Sequence, residues 1–390
     1  MQQFPKKLLK KIRQRQDENA LRKLPEDCLK VDFSSNDYLG FSRSAEIFKQ
    51  TSSLLEERKI MQNGATGSRL LTGNHQLYTE VEALLCDFHD AEASLVFNSG
   101  YDANIGFFAS VPQRGDVVLV DEYIHASIRD GLQMGNAKSF KFKHNDLNDL
   151  ESKLKKHAQI IEGDVYVVTE SVFSMDGDSP DLISLTVLTK KYNAHLIVDE
   201  AHAVGVFGDS GEGLLQELQL QNKVFARIIT FGKALGCHGA TILGSIELKN
   251  YLVNFARSFI YTTGLSPHSL ATIFVVYQEL KKQHTDSSFK KNKQKLLDNI
   301  AYFKHEIAKT HSPGLQYISS HSAIQCCVVP GNENVKKTAV GLQQKGFDVK
   351  PILSPTVKKG AERLRFCMHS FNTFDEISVV LDLLMTANCR

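Results

Sequence analysis

The sequence predicts an α/β protein with a mostly parallel sheet in a large domain and a smaller α+β domain at the C-terminal end. Three observations lead to this prediction. Short apolar runs alternate with helically spaced stretches through the middle of the chain, and the pattern becomes lysine-rich and helical after about residue 285. The chain has 390 residues, more than one hydrophobic core usually holds.

Valine- and isoleucine-rich runs mark the predicted strands of the large domain. They are ASLVF (93–97), DVVLVD (116–121), VYVVTE (165–170), HLIVDE (195–200) and RIITFG (227–232). Helically spaced segments such as DLNDLESKLKKH (146–157) and LISLTVLTKKYN (182–193) lie between them. This alternation predicts parallel strands that are covered by helices on both faces.

The change in pattern along the chain sets the predicted domain boundaries. Residues 1–45 are predicted to form a helical arm and linker, residues 46–285 the large domain and residues 286–390 the small one. The basic opening segment contains Asp17 and Glu18 and lacks serine, which favours an arm over a transit peptide. In the small domain, AIQCCVV (323–329) and RLRFCM (363–368) predict strands.

Composition excludes several classes of function. The chain is 42% hydrophobic and contains no apolar run of the ~18 residues that a membrane span needs. With 46 basic and 44 acidic residues it lacks the positive excess of a nucleic-acid binder. Its seven cysteines form no CxxC pair, which predicts a cytoplasmic protein with reduced thiols and no metal site. The expected partners are small molecules and other protein subunits.

Polar segments follow the ends of five predicted strands. They are NSGYDAN (98–104), DEYIHAS (121–127), ESVFSMDGD (170–178), DEAHAVG (199–205) and TFGK (230–233). Because the carboxyl ends of parallel strands form the ligand-binding crevice of such sheets, we expect these segments to converge on one site.

The residues in these segments suit pyridoxal phosphate. Lys233 follows a small-residue turn, with Thr230 three positions earlier and Asp199 at a strand end. A lysine can link covalently to the cofactor, an aspartate can keep its pyridine nitrogen protonated, and hydroxyl and backbone N–H groups can bind its phosphate.

Two other interpretations of these segments are rejected, because the motifs that they require are missing from the sequence. DEAH (199–202) also occurs in helicases, but these need a phosphate loop of the form GxxxxGK followed by serine or threonine. Here Lys233 is followed by alanine, and Arg227 stands where the first glycine belongs. No GxGxxG motif supports a dinucleotide site. A single lysine is usually a solvated surface residue, and it is the five matched segments that favour a cofactor site.

The chain resembles the α-oxoamine synthases, which are fold-type I pyridoxal phosphate enzymes. The resemblance spans almost the whole chain and keeps the order of the motifs: FSSNDYLG (33–40), GSRLLTG (67–73), HAS (125–127), VFSMDGD (172–178), DEAHAVGVFG (199–208), TFGKALG (230–236) and PTV…ERLRF (355–366). It implies an enzyme that condenses an amino acid with an acyl thioester and releases carbon dioxide.

The resemblance assigns catalytic and cofactor-binding roles. It implies that Lys233 binds the cofactor and moves the Cα proton, that Asp199 pairs with the pyridinium, and that His202 hydrogen-bonds the ring oxygen. His125 is expected to stack on the ring. Further cofactor contacts are expected from Gly100, Tyr101, Ser174 and Thr230, and from Thr262 or Thr263, which would reach the phosphate in the neighbouring subunit of a homodimer.

The resemblance also assigns substrate contacts. Arg365 is expected to bind the amino-acid carboxylate, with Arg363 as the alternative. Arg22 is expected to meet the acyl substrate, and Asn36 and Thr356 are further substrate contacts. His144 and His369 are interpreted as ordinary surface or packed histidines.

Within the family, the chain is most similar to members that condense L-alanine with a pimeloyl thioester in biotin biosynthesis. FSSNDYLG, KHND (143–146) and NFARSFIYTT (254–263) carry this similarity. The acyl carrier, coenzyme A or a carrier protein, stays open. Glu200 in DEAH is shared with relatives that use glycine or serine, so a sibling reaction is the alternative. A non-catalytic scaffold of the same fold is a third hypothesis, against which the complete set of site residues argues.

Overall fold

The structure is a computed structural model that describes residues 4–18, 21–22, 24, 29–158, 162–282, 287–309 and 315–388. It contains two compact units, Met1–Lys30 and Val31–Arg390. The described residues of the first unit form one helix, Lys6–Asp17, whose side chains are largely exposed. A helical N-terminal arm was predicted; the division of the remainder at residues 285 and 286 stays a prediction.

The strands of the described ranges, numbered along the chain, are β1 (Val31–Asp32), β2 (Ala93–Phe97), β3 (Val117–Asp121), β4 (Lys138–Phe142), β5 (Val165–Glu170), β6 (His195–Asp199), β7 (Ala226–Thr230), β8 (Ala240–Gly244), β9 (Gln316–Ile318), β10 (Ile324–Val328), β11 (Phe347–Asp348), β12 (Lys350–Ile352) and β13 (Arg363–Cys367).

The α-helices of the same ranges are α1 (Lys6–Asp17), α2 (Ala45–Glu57), α3 (Gln76–His89), α4 (Gly100–Ser110), α5 (Ala126–Met134), α6 (Leu147–Ala158), α7 (Leu182–Lys191), α8 (Leu214–Glu217), α9 (Ile246–Phe255), α10 (Arg257–Ile260), α11 (Pro267–Leu280), α12 (Ser288–Lys309), α13 (Asn332–Gln344) and α14 (Phe374–Asn388). Among the described residues, none of these helices combines the length and apolar character that a bilayer span requires.

A seven-stranded sheet forms the centre of the second unit. Its order is β2-β8-β7-β6-β5-β3-β4, and all neighbours pair in parallel except β8, which is antiparallel to both β2 and β7. The five predicted strands correspond to β2, β3, β5, β6 and β7, and all five run in the same direction. The predicted α/β fold with a mostly parallel sheet is confirmed.

Both faces of this sheet are covered, because alternate residues of each strand point to opposite sides. Val118 and Val120 of β3 pack in one apolar cluster with residues of α4, α5, α9 and α10. Val117 and Leu119 pack in another with residues of α6, α7 and α8. Because both faces of these strands are buried, their sequences are continuous apolar runs.

A second sheet of four antiparallel strands, β12-β13-β10-β9, lies towards the C-terminal end, as the runs 323–329 and 363–368 predicted. It contacts the segment that follows β5 of the central sheet. Ser320 and Ser322 donate to the Gly177 carbonyl at 2.8 and 2.9 Å, and the Cys326 thiol donates to the Met175 carbonyl at 3.0 Å. These bonds place β13 beside the carboxyl edge of the large sheet.

Candidate active site

A cavity of about 180 Å³ lies at the carboxyl edge of the central sheet, where β3, β5, β6 and β7 end together. Seven of the predicted site residues line it: Gly100, Tyr101, His125, Asp199, His202, Thr230 and Lys233. They come from segments up to 133 positions apart in the sequence, and the parallel sheet brings them to one place.

Lys233 lies in the turn after β7 and is half-buried. Its Nζ is 2.7 Å from His202 Nε2. Burial lowers the pKa of the amine to about 8, against the opposing attraction of Asp199 and Glu170. About a tenth of the amine is therefore neutral at pH 7, far more than for an ordinary lysine of pKa about 10.4, and the neutral amine is the nucleophilic form.

Asp199 is the last residue of β6, and its carboxylate is buried. The backbone N–H of Ala201 donates to Oδ1 at 2.9 Å, and the Asn104 amide donates to Oδ2 at 3.1 Å. Both donors are neutral groups, so the negative charge of Asp199 is oriented without being paired to a cation by these bonds. Such a carboxylate can stabilise a proton on a ring nitrogen.

Glu200, the next residue, serves the fold and not the cavity. Its Oε2 pairs with Arg227 Nη2 at 2.7 Å, and its Oε1 accepts from the backbone N–H of Leu215 at 2.9 Å. Both partners of this ion pair are almost completely buried. Because Glu200 points away from the cavity, its identity says little about which amino acid the site accepts.

His125 caps the N-terminus of α5, and its side chain belongs to a polar network. Its Nδ1 accepts from the backbone N–H of Ser127 at 3.2 Å and lies 2.7 Å from Ser127 Oγ. Ser127 Oγ in turn accepts from Asn104 Nδ2 at 3.0 Å. The loss of hydration outweighs the attraction of Asp199 and lowers the pKa of His125. The network therefore holds a neutral imidazole through Nδ1, and His125 itself lines the cavity.

Glu170, at the end of β5, is buried beside this group and was missed by the sequence analysis. The backbone N–H of His125 donates to its Oε1 at 2.6 Å. Burial, together with the negative charge of Asp199, raises the pKa of Glu170 to about 8. Its position in the sequence could have indicated it. Glu170 is the last residue of the predicted strand 165–170, and the site was expected at the carboxyl ends of the strands.

The opposite end of the cavity suits an anion. The first N–H groups of a helix have no partner within the helix, and α4 begins at Gly100 and Tyr101 on the cavity wall. Thr230 lies beside this turn, and a Cβ added at Gly100 would be 3.5 Å from the Thr230 side chain. Tyr101 is about half exposed and donates its hydroxyl to Asp130 at 2.8 Å.

Arg365 and Arg363 lie on the same strand, β13, but have different partners. Arg363 forms a buried ion pair with Asp176. Arg365 donates Nε to the Ser174 carbonyl at 2.8 Å and Nη2 to Asn36 Oδ1 at 3.0 Å. Within the described part of the chain, Arg365 has no carboxylate at ion-pair distance. Its buried charge is thus available for a carboxylate ligand. The Ser174 carbonyl accepts from Arg365, and the predicted contact of Ser174 with the cofactor stays a prediction.

Three other predicted residues, Thr356, Thr262 and Thr263, are not brought to the cavity by the contacts of the described residues. Thr356 is exposed in the turn after β12. The Asn98 amide donates to Thr262 Oγ1 at 3.0 Å and to the Thr263 carbonyl at 2.6 Å, within the same chain. Arg22 is exposed in the first unit. The roles of these residues stay predictions.

His144 and His369, which were interpreted without a catalytic role, are both tied into the protein. His369 is buried and stacks on Phe371 at 4.6 Å. His144 lies between Asp121 Oδ1 at 2.9 Å and Asp178 Oδ2 at 2.8 Å. Its two ring nitrogens are therefore occupied by carboxylates.

Sequence reasoning also missed Asn104 and Tyr38. Asn104 lies within the quoted segment 98–104, and Tyr38 lies within FSSNDYLG (33–40). The Tyr38 hydroxyl is 2.7 Å from His202 Nδ1 and donates to Asn36 Oδ1 at 3.1 Å. Both residues lie in motifs that were assigned to the site, but the sequence of a motif does not indicate which of its polar side chains faces inward.

The donor set of the cavity fits pyridoxal phosphate. An amine of lowered pKa, a buried carboxylate, a neutral imidazole and a helix N-terminus are the four groups that this cofactor needs. A buried acceptor, Asn104 Oδ1, has no hydrogen-bond partner among the described residues. A polar ligand in the cavity would be consistent with this unpaired group.

Comparison with known proteins identifies a family and similar relatives. The model of the family described as aminotransferase class I and II matches residues 29–381. A protein of Emericella nidulans named 8-amino-7-oxononanoate synthase is 36% identical over 391 aligned positions, covering 96% of this chain and 93% of the relative.

Solved structures show the same fold. Serine palmitoyltransferase from S. paucimobilis superposes with a TM-score of 0.87 at 25% identity, covering 98% of this chain and 97% of the other. An 8-amino-7-oxononanoate synthase from Francisella tularensis gives a TM-score of 0.77 at 26% identity, covering 93% of this chain and 99% of the other. This chain is thus similar along almost its whole length to α-oxoamine synthases of two specificities.

Proposed function

Since this chain belongs to the aminotransferase class I and II family, we propose that it is a pyridoxal phosphate enzyme that condenses L-alanine with a pimeloyl thioester. The products would be 8-amino-7-oxononanoate, carbon dioxide and the free thiol, and the reaction would serve biotin biosynthesis. The observation that carries the chemistry is the convergence of Lys233, Asp199, His202 and His125 on one cavity. The Emericella nidulans relative, at 36% identity, supports the choice of substrates.

When bound, pyridoxal phosphate supplies an electron sink for the bond that breaks at the amino-acid Cα. Lys233 would hold the cofactor and then use Nζ to remove and return the Cα proton, a task that its lowered pKa suits. Asp199 would keep a proton on the pyridine nitrogen. His125 would pack against the ring, and His202 would hydrogen-bond its phenolic oxygen.

The substrate carboxylate would bind Arg365. Its planar guanidinium can bind a carboxylate through two parallel hydrogen bonds. Arg365 is buried, and Asn36 beside it would help to orient the amino acid. Ser174 would hold Arg365 through its carbonyl.

The remaining predicted residues belong to the same proposal. The N–H groups at Gly100 and Tyr101 and the Thr230 hydroxyl would bind the phosphate. Thr262 or Thr263 would reach the phosphate of the second subunit in a homodimer. Arg22 would meet the acyl chain, and Thr356 would contact substrate. A cytoplasmic location completes the proposal.

A sibling reaction with serine is the second candidate, because the S. paucimobilis serine palmitoyltransferase has the higher TM-score of the two solved structures. Proteins that share a fold can use different substrates, so similarity of the backbone is weaker evidence for the substrate than similarity of the sequence. The higher identity of the Emericella nidulans relative therefore favours alanine.

A substrate competition tests the proposal. The purified full-length protein with pyridoxal phosphate is given L-alanine, glycine or L-serine together with a pimeloyl thioester, and products are identified by mass spectrometry. We expect 8-amino-7-oxononanoate from L-alanine, with a preference over glycine of about 10- to 200-fold, because one methyl group is worth ~1–3 kcal/mol. A faster reaction of serine with a long-chain acyl thioester would reject the choice of substrates but leave the role of Lys233 standing.

A further inference from the structure

A continuous chain of hydrogen bonds leads from Arg365 to Lys233 through Asn36, Tyr38 and His202. We infer that, before the cofactor binds, Tyr38 is a positioning residue that holds His202 in one tautomer, with the hydrogen on Nδ1 and the lone pair of Nε2 directed at Lys233. The roles of Lys233 and Arg365 at the two ends rest on the proposed function. The tautomer itself follows from the hydrogen-bond contacts and from the burial of His202.

The direction of the chain is set at Arg365. A guanidinium has only donors, so the atom that lies 3.0 Å from Arg365 Nη2 must be an acceptor. The Asn36 side chain therefore presents its carbonyl oxygen, and not its amide nitrogen, to Arg365. This fixes the orientation of the Asn36 amide.

The same Asn36 oxygen lies 3.1 Å from the Tyr38 hydroxyl. Since an amide oxygen carries no hydrogen, the hydroxyl is the donor in this bond. Tyr38 is fully buried, and this burial raises the pKa of its hydroxyl above the usual range. The hydroxyl therefore keeps its proton, and that proton is committed to Asn36.

The Tyr38 oxygen can then only accept at its second contact, His202 Nδ1 at 2.7 Å. Nδ1 must carry a hydrogen to donate. Burial lowers the pKa of His202 well below its usual value, so the ring is neutral and has one N–H group. Nε2 is consequently the lone-pair nitrogen, and it accepts from Lys233 Nζ at 2.7 Å.

Two independent demands agree on this tautomer. The donor-only guanidinium of Arg365 imposes it from one end, and a protonated amine at Lys233 would impose it from the other. A ring with its hydrogen on Nε2 would set two donors against each other at Lys233. Tyr38 thus keeps His202 as a fixed acceptor for the Lys233 amine.

The test reads the tautomer of His202 directly in the full-length chain, by nitrogen NMR of protein labelled at its histidines. The His202→Gln protein identifies the signals. Because Lys233 also constrains the ring, the measurement is made in a Lys233→Ala background without added cofactor. We expect this protein to show His202 with its hydrogen on Nδ1 only.

Three second substitutions in that background separate the contributions. Asn36→Asp keeps an acceptor for both Arg365 and Tyr38, so the tautomer is expected to persist. Asn36→Ala frees the Tyr38 proton to bind Nδ1, so the hydrogen is expected to move to Nε2. Tyr38→Phe removes the constraint, so both forms are expected. A hydrogen on Nε2 before any second substitution, or no change in Asn36→Ala, would overturn the inference.

The NMR result does not depend on the identity of the substrates, so it can fail or succeed separately from the proposed function.

Discussion

The Asn104 amide nitrogen lies 3.1 Å from Asp199 Oδ2, and both side chains are buried. The same nitrogen is 3.0 Å from Ser127 Oγ, which is 2.7 Å from His125 Nδ1. A single amide thereby orients the proposed partner of the pyridine nitrogen and the proposed stacking residue. Because Asn104 is neutral, it holds Asp199 in place and leaves its charge for the cofactor.

The first prediction concerns that charge. Asp199→Asn is expected to keep cofactor bound but to lower turnover by orders of magnitude, because an amide does not hold a pyridinium proton as a carboxylate does. Cofactor content is measured by absorbance, and kcat with alanine and a pimeloyl thioester. The control is Asp298→Asn, a surface change on α12 that is expected to alter neither quantity. Turnover near the normal rate in Asp199→Asn would reject the electron-sink role.

A second prediction locates the covalent link. The purified protein is expected to be yellow, and reduction with borohydride is expected to fix the cofactor to the peptide that contains residue 233. Peptide mapping by mass spectrometry makes the assignment, and Lys233→Ala is expected to lose the label. A label on any other lysine would contradict the catalytic assignment of Lys233.

The third prediction follows from the pKa of Lys233, which burial lowers to about 8. The rate at which cofactor-free protein captures pyridoxal phosphate at residue 233 is expected to rise with pH and to level off above about 8. An ordinary lysine would continue to gain reactivity up to about 10.4. Stopped-flow absorbance over pH 6 to 10 measures the profile, and a midpoint near that of ordinary lysines would contradict the role of burial.

Some residues of this site could be predicted from the sequence, and others could not. The strand ends could be predicted because strands buried on both faces read as unbroken apolar runs, and Lys233 and Asp199 follow such runs directly. Glu170 also ends such a run, but the contacts of Glu170 and Asn104 could not be predicted, since they depend on the sheet order and on how α4 packs, which are not local properties. Arg363 and Arg365 are two residues apart on one strand face, and only the position of Asp176 separates their roles.

The fourth prediction concerns stability and His144. Burial alone would lower the pKa of this histidine, but hydrogen bonds to Asp121 and Asp178 outweigh it and raise the pKa to about 10. A group whose pKa is raised by folding stabilises the folded state fully below its unfolded pKa of about 6.5. This stabilisation is lost as the pH rises from there through about 10.

His144→Gln therefore has an effect that depends on pH. At pH 6 it is expected to lower the free energy of unfolding by about 3 kcal/mol, as for a broken buried ion pair, and by much less above pH 10. Urea unfolding at both pH values measures the difference. The exposed His305 on α12 provides the control His305→Gln, which is expected to change stability little at either pH. An equal loss at both pH values would show that His144 acts through packing alone.

The last prediction separates the two arginines of β13. Arg365 is buried and has no carboxylate partner among the described residues, whereas Arg363 is paired with Asp176. Arg365→Lys is expected to raise the KM for the amino acid about 10- to 100-fold with little change in Tm, because an ammonium cannot form two parallel bonds to a carboxylate. Arg363→Lys, the matched change, is expected to lower Tm and to leave KM within about threefold, since its charge is used inside the protein. Steady-state kinetics and thermal unfolding of both variants test this contrast. If Arg363→Lys raised the KM and Arg365→Lys did not, the binding of the substrate carboxylate would move to Arg363.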